Sequence, residues 1–307
     1  MAFHKFPMVQ VDVFTRVPLE GNALAVVTES RGLHIDEMHA IARETNLSET
    51  VFLIRSDVAT ERGAGIRARI FTTQEELPFA GHPTLGAAWV IREDLAALGG
   101  NRPPEVTLSL NVGKVTVRFA ENGPDGGTFG EMTQVDPTFG PMHDAAEVAR
   151  VLGLAPDAID ASLPIETVST GLAFTIVPLR SLAAAQALAF DGRVAQAYLD
   201  AHGGKFFYFV TRETVDPGAR FHARMMFYGG EDPATGSAAG CTAAWAVAHG
   251  AAKPDERFLI EQGLEMKRPS RIWVRAGKTG EKVGNVRVGG SAVQVLKGVY
   301  DLDQPVG

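Results

Sequence analysis

Three small groups of residues have the types and spacing to do chemistry: Glu49, the pair Gly81-His82, and Asp232 with Gly236-Ser237. A carboxylate can move a proton, and an imidazole and a second acid can orient or relay it. A glycine lets a bound group approach the backbone. Both glycine pairs stand where a helix should begin, and a helix start offers unpaired N–H groups and the positive end of its dipole. A carboxylate or phosphate suits such a place. Each group also has a plain structural reading. From position alone Glu49 reads more readily as an exposed loop glutamate, His82 can be a first helical residue, and Asp232 a turn former. Thr235 or Ser237 reads as a helix cap. Cys241 lies four residues past Ser237, inside an alanine-rich run, and reads as a small packing residue.

The elements that would position these groups come in two copies. Phe221 to Tyr228 reads as a strand that runs into Gly229-Gly230, the acidic pair Glu231-Asp232 and Pro233. Thr235-Gly236-Ser237 then opens a helix over Ala238 to Ala248. Subtracting 155 takes Arg224 to Arg69, Glu231 to Glu76 and Gly236-Ser237 to Gly81-His82. The earlier copy is again a strand, an acidic turn with a proline, a glycine pair and a helix rich in alanine. Ala87-Ala88-Trp89 and Ala243-Ala244-Trp245 close the two copies, one residue out of step. An offset of half the chain is one duplication, not an array of short repeats. It predicts two similar halves with Gly81 and Gly236 facing one cleft.

The rest of the chain reads as more strands than helices. Residues 8–15 alternate as a strand, Gly21-Asn22 turns it, and Ala23 to Val27 returns as a hairpin partner. Asp36 to Thr45 reads as a short helix with Met38, Ile41 and Ala42 on one face, and Thr50 to Ile54 as a strand after Asn46-Leu47-Ser48-Glu49. Arg67 to Phe71 is a strand. His82 to about Glu93 is a helix with Pro83 in its first turn, where proline is tolerated. A hairpin surrounds Asn111-Val112-Gly113, and Gly123-Pro124-Asp125-Gly126-Gly127 is a turn or linker. Beyond it, helices are predicted at 145–152, 156–159 and within 181–201. Strands are predicted at 166–169, 174–178, 206–211, 257–261, 271–275, 284–288 and 292–299. The fold class is α+β, with one half over 1–122 joined by 293–307 and the other over 128–292.

Composition narrows the function. The 307 residues are 45% hydrophobic and 21% charged, ordinary for a globular protein long enough for two cores. A net charge of −7 with no basic cluster argues against nucleic acid as a partner. The start, Met1-Ala2-Phe3-His4-Lys5-Phe6-Pro7, has no signal-peptide core, and no apolar run is long enough to span a membrane, so a reducing, cytoplasmic setting is expected. The single cysteine excludes an intrachain disulfide framework and multi-cysteine zinc sites, and the eight histidines show no metal spacing. Gly277-Lys278-Thr279 lacks the earlier glycine of a P-loop, and neither G-x-G-x-x-G after a strand nor G-x-S-x-G occurs. No cofactor and no metal are expected.

Asn46-Leu47-Ser48-Glu49-Thr50-Val51-Phe52, Glu76 to Thr84 and Glu231 to Ala238 together resemble the three signature segments of the phenazine-biosynthesis isomerase-like (PhzF-like) family. Val11 to Thr15 and Gly21 to Val27 fit as well, so the resemblance covers essentially the full chain. It implies the diaminopimelate epimerase-like fold: two pseudo-symmetric halves, each a sheet curled around a central helix. It implies that Glu49 is the acid–base residue shuttling a proton between carbons of a small carboxylate-bearing substrate. His82, Asp232 and Ser237 would line the site, with the backbone at Gly81 and Gly236 helping to hold the substrate. Two-thiol racemases of this fold carry cysteines where this chain has His82 and Ser237, so that chemistry is excluded. Thr73 stands where the family usually has proline. A homodimer is implied. A non-catalytic binding protein on the same fold and a non-thiol epimerase stay open beside the isomerase.

Overall fold

The computed structural model describes residues 4–227 and 230–302. The opening Met1-Ala2-Phe3, the predicted strand end Tyr228, Gly229 of the second glycine turn and residues 303–307 lie outside the described residues. The chain divides into two compact units, one running to Met132 and resuming at Gly289, the other Thr133–Val288.

The first unit contains β1 (His4–Val13), β2 (Asn22–Val27), α1 (Ile35–Thr45), β3 (Glu49–Ile54), α2 (Val58–Ala64), β4 (Ile66–Phe71), β5 (Glu76–Leu77), α3 (Gly81–Ala97), β6 (Glu105–Leu110), β7 (Gly113–Ala120) and β8 (Phe129–Thr133). The second contains β9 (Thr138–His143), α4 (Ala145–Val151), β10 (Ile165–Ser169), β11 (Ala173–Leu179), α5 (Leu182–Gln186), α6 (Gly192–His202), β12 (Phe206–Thr211), β13 (Ala219–Arg224), β14 (Met226–Phe227), β15 (Gly230–Glu231), α7 (Gly236–Ala248), β16 (Phe258–Gln262), β17 (Ser270–Thr279) and β18 (Lys282–Gly290). β19 (Ala292–Leu302) pairs antiparallel with β1.

The duplication is visible in the order of strand pairing. In the first unit β1–β2, β2–β3, β3–β4, β4–β6 and β6–β7 run antiparallel, parallel, antiparallel, parallel, antiparallel. In the second, β10–β11, β11–β12, β12–β13, β13–β16 and β16–β17 follow the same order. The turn before each central helix repeats as well. Phe71 pairs with Glu76, and Met226 with Glu231, 155 residues on. A guanidinium fork closes each turn: Arg69 donates to Glu76 at 2.9 and 2.6 Å, and Arg224 to Glu231 at 2.8 and 2.8 Å. A planar bidentate pair fixes direction as well as distance, which is what a short turn aimed at a helix start requires.

The central helices are α3 and α7. Neither has a polar stripe, because each is buried on nearly all sides: Gly81 to Ala88 is buried, and so is Ala238 to Val247. A helix apolar all round is one enclosed by its own sheet. α3 packs against β1, β2, β3, β6 and β7, and α7 against β10, β11 and β17. Small residues permit that approach. At Gly240 an added Cβ would meet Gln134 Oε1 at 1.9 Å, so only glycine leaves room for that amide. β12 is buried at every position because α5 and α6 cover its other face.

Several elements differ from the sequence reading. α3 runs one turn past Glu93, to Ala97. The polar helix α2 has no buried residue and hence no periodic signal; Asp57 starts it by accepting from the N–H groups of Ala59 and Thr60. β9 is missed for the same reason, being almost wholly exposed. The units divide after Met132 rather than at Gly123–Gly127, because β8 pairs back onto β7 and makes that stretch a turn. The turn with Thr73 in place of proline is held by Thr72, whose hydroxyl accepts from the N–H groups of Gln74 and Glu75 at 3.1 and 2.9 Å.

His222, one of the eight histidines without metal spacing, is fully buried between two carboxylates. Nδ1 lies 3.0 Å from Glu261 and Nε2 lies 3.1 Å from Glu265. Burial alone would lower its pKa, but hydrogen bonds to Glu261 and Glu265 outweigh it and raise the value to about 9. An unfolded histidine titrates near ~6.5. The imidazolium therefore stabilises the fold fully below that value, and the contribution is lost as pH rises through about 9. Thermal unfolding of the natural chain and of His222→Gln should differ most at pH 6, and the gap should close by pH 10. A gap that does not change with pH would show that His222 is neutral.

Candidate active site

The first unit brings Glu49 and His82 together. Glu49 opens β3, where Asn46 ends α1 in a left-handed conformation at φ 50° and turns the chain back into the sheet. β3 pairs parallel with β2, placing Glu49 opposite Leu24. The loop reading of Glu49 is thus replaced by a strand start, with the side chain 14% exposed. His82 is the second residue of α3 and its side chain is 5% exposed. Its Nε2 lies 3.5 Å from Glu49 Oε2. That approach has the spacing of an ion pair but not the charge: burial pushes His82 down to about 3, so the ring is neutral near pH 7.

Asn22, which the sequence offers only as a turn residue, decides the ring's tautomer. It is buried at the start of β2, and its Nδ2 lies 3.3 Å from His82 Nδ1. An amide N–H donates, so Nδ1 accepts and the ring proton sits on Nε2, towards Glu49. Gly21 makes this possible. It holds φ 65°, and a Cβ there would meet the Val13 carbonyl oxygen at 2.4 Å.

The second unit holds Asp232, Gly236 and Ser237. Asp232 is buried, and its N–H donates to the Met225 carbonyl at 2.8 Å. Gly236 and Ser237 are the first two residues of α7, and Ser237 is half-buried while its neighbours on both sides are buried. Thr235 and Ser237 are not the caps that sequence allows. Thr235 occupies the cap position but makes no side-chain cap hydrogen bond; its hydroxyl donates to Asp232 Oδ2 at 2.6 Å. Gln262 and Tyr208, neither singled out from sequence, stand behind it: Tyr208 donates to Gln262 at 2.9 Å. They carry no local signal, since a glutamine ending a strand and a tyrosine within an aromatic one look like packing residues. Gln134 donates to the Gly236 carbonyl at 3.0 Å and is itself held by Thr170 at 2.7 Å.

Cys241 is a packing residue. It is buried within α7, 3.4 Å from the Thr170 hydroxyl, and burial pushes its pKa up to about 11, so it stays a thiol. Cys241→Ala should retain full activity and lose no more than about 1 kcal/mol of stability; loss of turnover in a folded Cys241→Ala protein would contradict this.

Among the described residues no group of three or more His, Cys, Asp or Glu side chains could hold a metal ion, and no helix is long and apolar enough to cross a membrane. A cavity of about 580 Å³ in the second unit, walled by Phe190, Phe206, Phe207 and Phe227, includes none of the six candidate residues.

The family model for phenazine biosynthesis-like proteins (PhzC-PhzF) matches residues 11–298. The chain is 39% identical over 299 residues to an uncharacterized isomerase of Mesorhizobium japonicum, covering 94% of this chain and 96% of the relative. It is 35% identical over 294 residues to the trans-2,3-dihydro-3-hydroxyanthranilate isomerase of Pseudomonas aeruginosa, covering 94% and 97%. Among solved structures, the PhzF-family phenazine biosynthesis protein of Bacillus anthracis superposes with a TM-score of 0.85 at 28% identity, over 97% of this chain and 99% of that one. A hydroxyproline epimerase from Agrobacterium vitis shares the fold at a TM-score of 0.59 and 14% identity, over 98% and 94%. The matched motifs, the duplicated sheet and these relatives agree: the chain belongs to the phenazine biosynthesis-like (PhzC-PhzF) family and is an isomerase.

Proposed function

We propose that the protein is a cofactor-independent isomerase that shifts a hydrogen between carbons of a small carboxylate-bearing substrate, with Glu49 as acid and base. The observation that carries this is the half-buried Glu49 carboxylate, whose Oε2 lies 3.5 Å from Nε2 of a neutral His82. Glu49 takes a proton from one carbon of the substrate. The electron pair left behind delocalises into the adjacent unsaturated system. The same carboxyl group, whose proton exchanges with solvent, delivers a proton to another carbon, so no electrons are gained or lost and no redox partner is needed. His82 turns its Nε2 proton towards Glu49, 3.5 Å away, and orients the carboxylate during the reaction without competing as a base. Asp232 orients the substrate, and the backbone at Gly81, Gly236 and Ser237 binds its carboxylate, as N–H groups at helix starts do.

The substrate of the Pseudomonas aeruginosa relative, trans-2,3-dihydro-3-hydroxyanthranilate, is the first compound to test. In D2O the product should gain deuterium at one carbon while its double bond moves, read by mass spectrometry and NMR. Inversion at a carbon without movement of the double bond would make the protein a non-thiol epimerase. Absence of exchange with this compound and with a panel of cyclic and amino-acid carboxylates would overturn the proton-shift reading. Dialysis against chelator should leave the rate unchanged; a loss restored by a divalent metal would remove the claim of cofactor independence. Light scattering at twice the chain mass would support the homodimer, and a monomer mass would end it.

A further inference from the structure

We infer that Gln262 and Thr235 aim the Asp232 carboxylate and are positioning residues for the reaction proposed above, a reading on which this inference rests. Gln262 is fully buried at the end of β16. Its Nε2 donates to the Asp232 carbonyl at 2.7 Å and to Thr235 Oγ1 at 3.0 Å. Its Oε1 accepts from Thr235 N–H at 3.1 Å and from the Tyr208 hydroxyl at 2.9 Å. Two donors and two lone pairs are all that one amide possesses, so the group is saturated and cannot flip without losing partners.

This saturation gives the chain of hydrogen bonds one direction. Because Nε2 only donates, Thr235 Oγ1 must accept from it, and the hydroxyl's single proton has to point elsewhere. It points at Asp232 Oδ2, 2.6 Å away. Tyr208, Gln262, Thr235 and Asp232 thus form a buried relay of fixed polarity that ends on a carboxylate oxygen. Thr235 stands at the cap position of α7, where a threonine ordinarily accepts from the helix's own N–H groups, and it makes no such bond. The hydroxyl is diverted from the helix to the acid.

The other unit supplies an internal control. Subtracting 155 takes Asp232 to Leu77 and Thr235 to Ala80. The central helices differ in length, so the counterpart of Gln262 is set by strand register: Glu261 lies opposite His222 as Ser109 lies opposite Arg67, which matches Gln262 to Leu110. Ala80 caps α3 with no side-chain hydrogen bond, and Leu110 is a buried apolar residue with no amide to offer. Where the acid is absent, the hydroxyl and the amide are absent too, although the helix start they would otherwise support is still there. The trio therefore goes with the carboxylate and not with the turn.

The test is a double-mutant cycle read by deuterium incorporation into trans-2,3-dihydro-3-hydroxyanthranilate, with kcat and KM taken separately and folding checked by circular dichroism. Thr235→Val keeps the shape and removes the hydroxyl; Thr235→Ser keeps the hydroxyl. Misdirecting a group that orients substrate should lower kcat/KM by roughly tenfold to a hundredfold in Thr235→Val. Thr235→Ser should restore the rate to within about twofold. In an Asp232→Asn background Thr235→Val should cost nothing further, because its only route to the reaction is the carboxylate. Gln262→Glu, which keeps both accepting roles and loses both donated hydrogen bonds, should give the same non-additive pattern by an independent route if Thr235→Val folds poorly. Equal losses in both backgrounds, or full activity in folded Thr235→Val, would overturn the inference and leave the isomerase reading intact. A silent Asp232→Asn would remove the role of Asp232 and this inference with it, and an inactive natural chain would overturn the proton-shift reading itself.

Discussion

Glu49→Gln is expected to lower turnover by about 10² to 10⁴, or roughly 3–5 kcal/mol of barrier, while changing substrate affinity little. Glutamine keeps the length and an oxygen facing His82 Nε2 but has no proton to give and no basicity with which to take one. Affinity should hold because the binding role is proposed for the helix starts, not for Glu49. His82→Ala should cost less in rate and more in orientation, because the role proposed for the neutral ring, 3.5 Å from Glu49, is to orient the carboxylate. Asp232→Asn should likewise act mainly on KM. Steady-state kinetics on the three proteins separate these roles. A Glu49→Gln protein that turns over at the natural rate would move the chemistry to another residue.

Trp245→Ala is expected to cost about 3–5 kcal/mol of stability, the range for deleting a large aromatic side chain from a core. Trp245 is fully buried in α7, packs 6.3 Å from the Phe221 ring centroid, and donates its indole N–H to the Pro164 carbonyl at 3.1 Å. The substitution opens a cavity and leaves that carbonyl without its donor. Against a total of ~5–15 kcal/mol for a typical domain, this is enough to unfold the second unit on mild warming. Its counterpart Trp89 is only half-buried, so Trp89→Ala should be milder. Denaturant melts of the two proteins check the difference, and equal losses would contradict the unequal burial of the pair.

The duplication and the class of fold were legible in the sequence, which also proposes the six candidate positions. A repeat of Arg, Glu and Gly at one offset survives as a repeat of contacts, because a guanidinium fork, an acidic turn and a glycine helix start are local arrangements with local signals. Strands with alternating burial and the helix carrying Met38, Ile41 and Ala42 were legible for the same reason. Elements without burial, α2 and β9, left no pattern to read. Which way each polar group points came from the fold alone. Asn22 and His82 are 60 residues apart, and Thr235 and Gln262 are 27 apart. Nothing in a run of letters says that an amide will fix an imidazole's tautomer, or that a threonine at a helix start will turn its proton to a carboxylate. Those choices are made by burial. A polar group removed from water must find its partners among whatever the folded sheet brings within about 3 Å, and the sheet is assembled from distant parts of the chain.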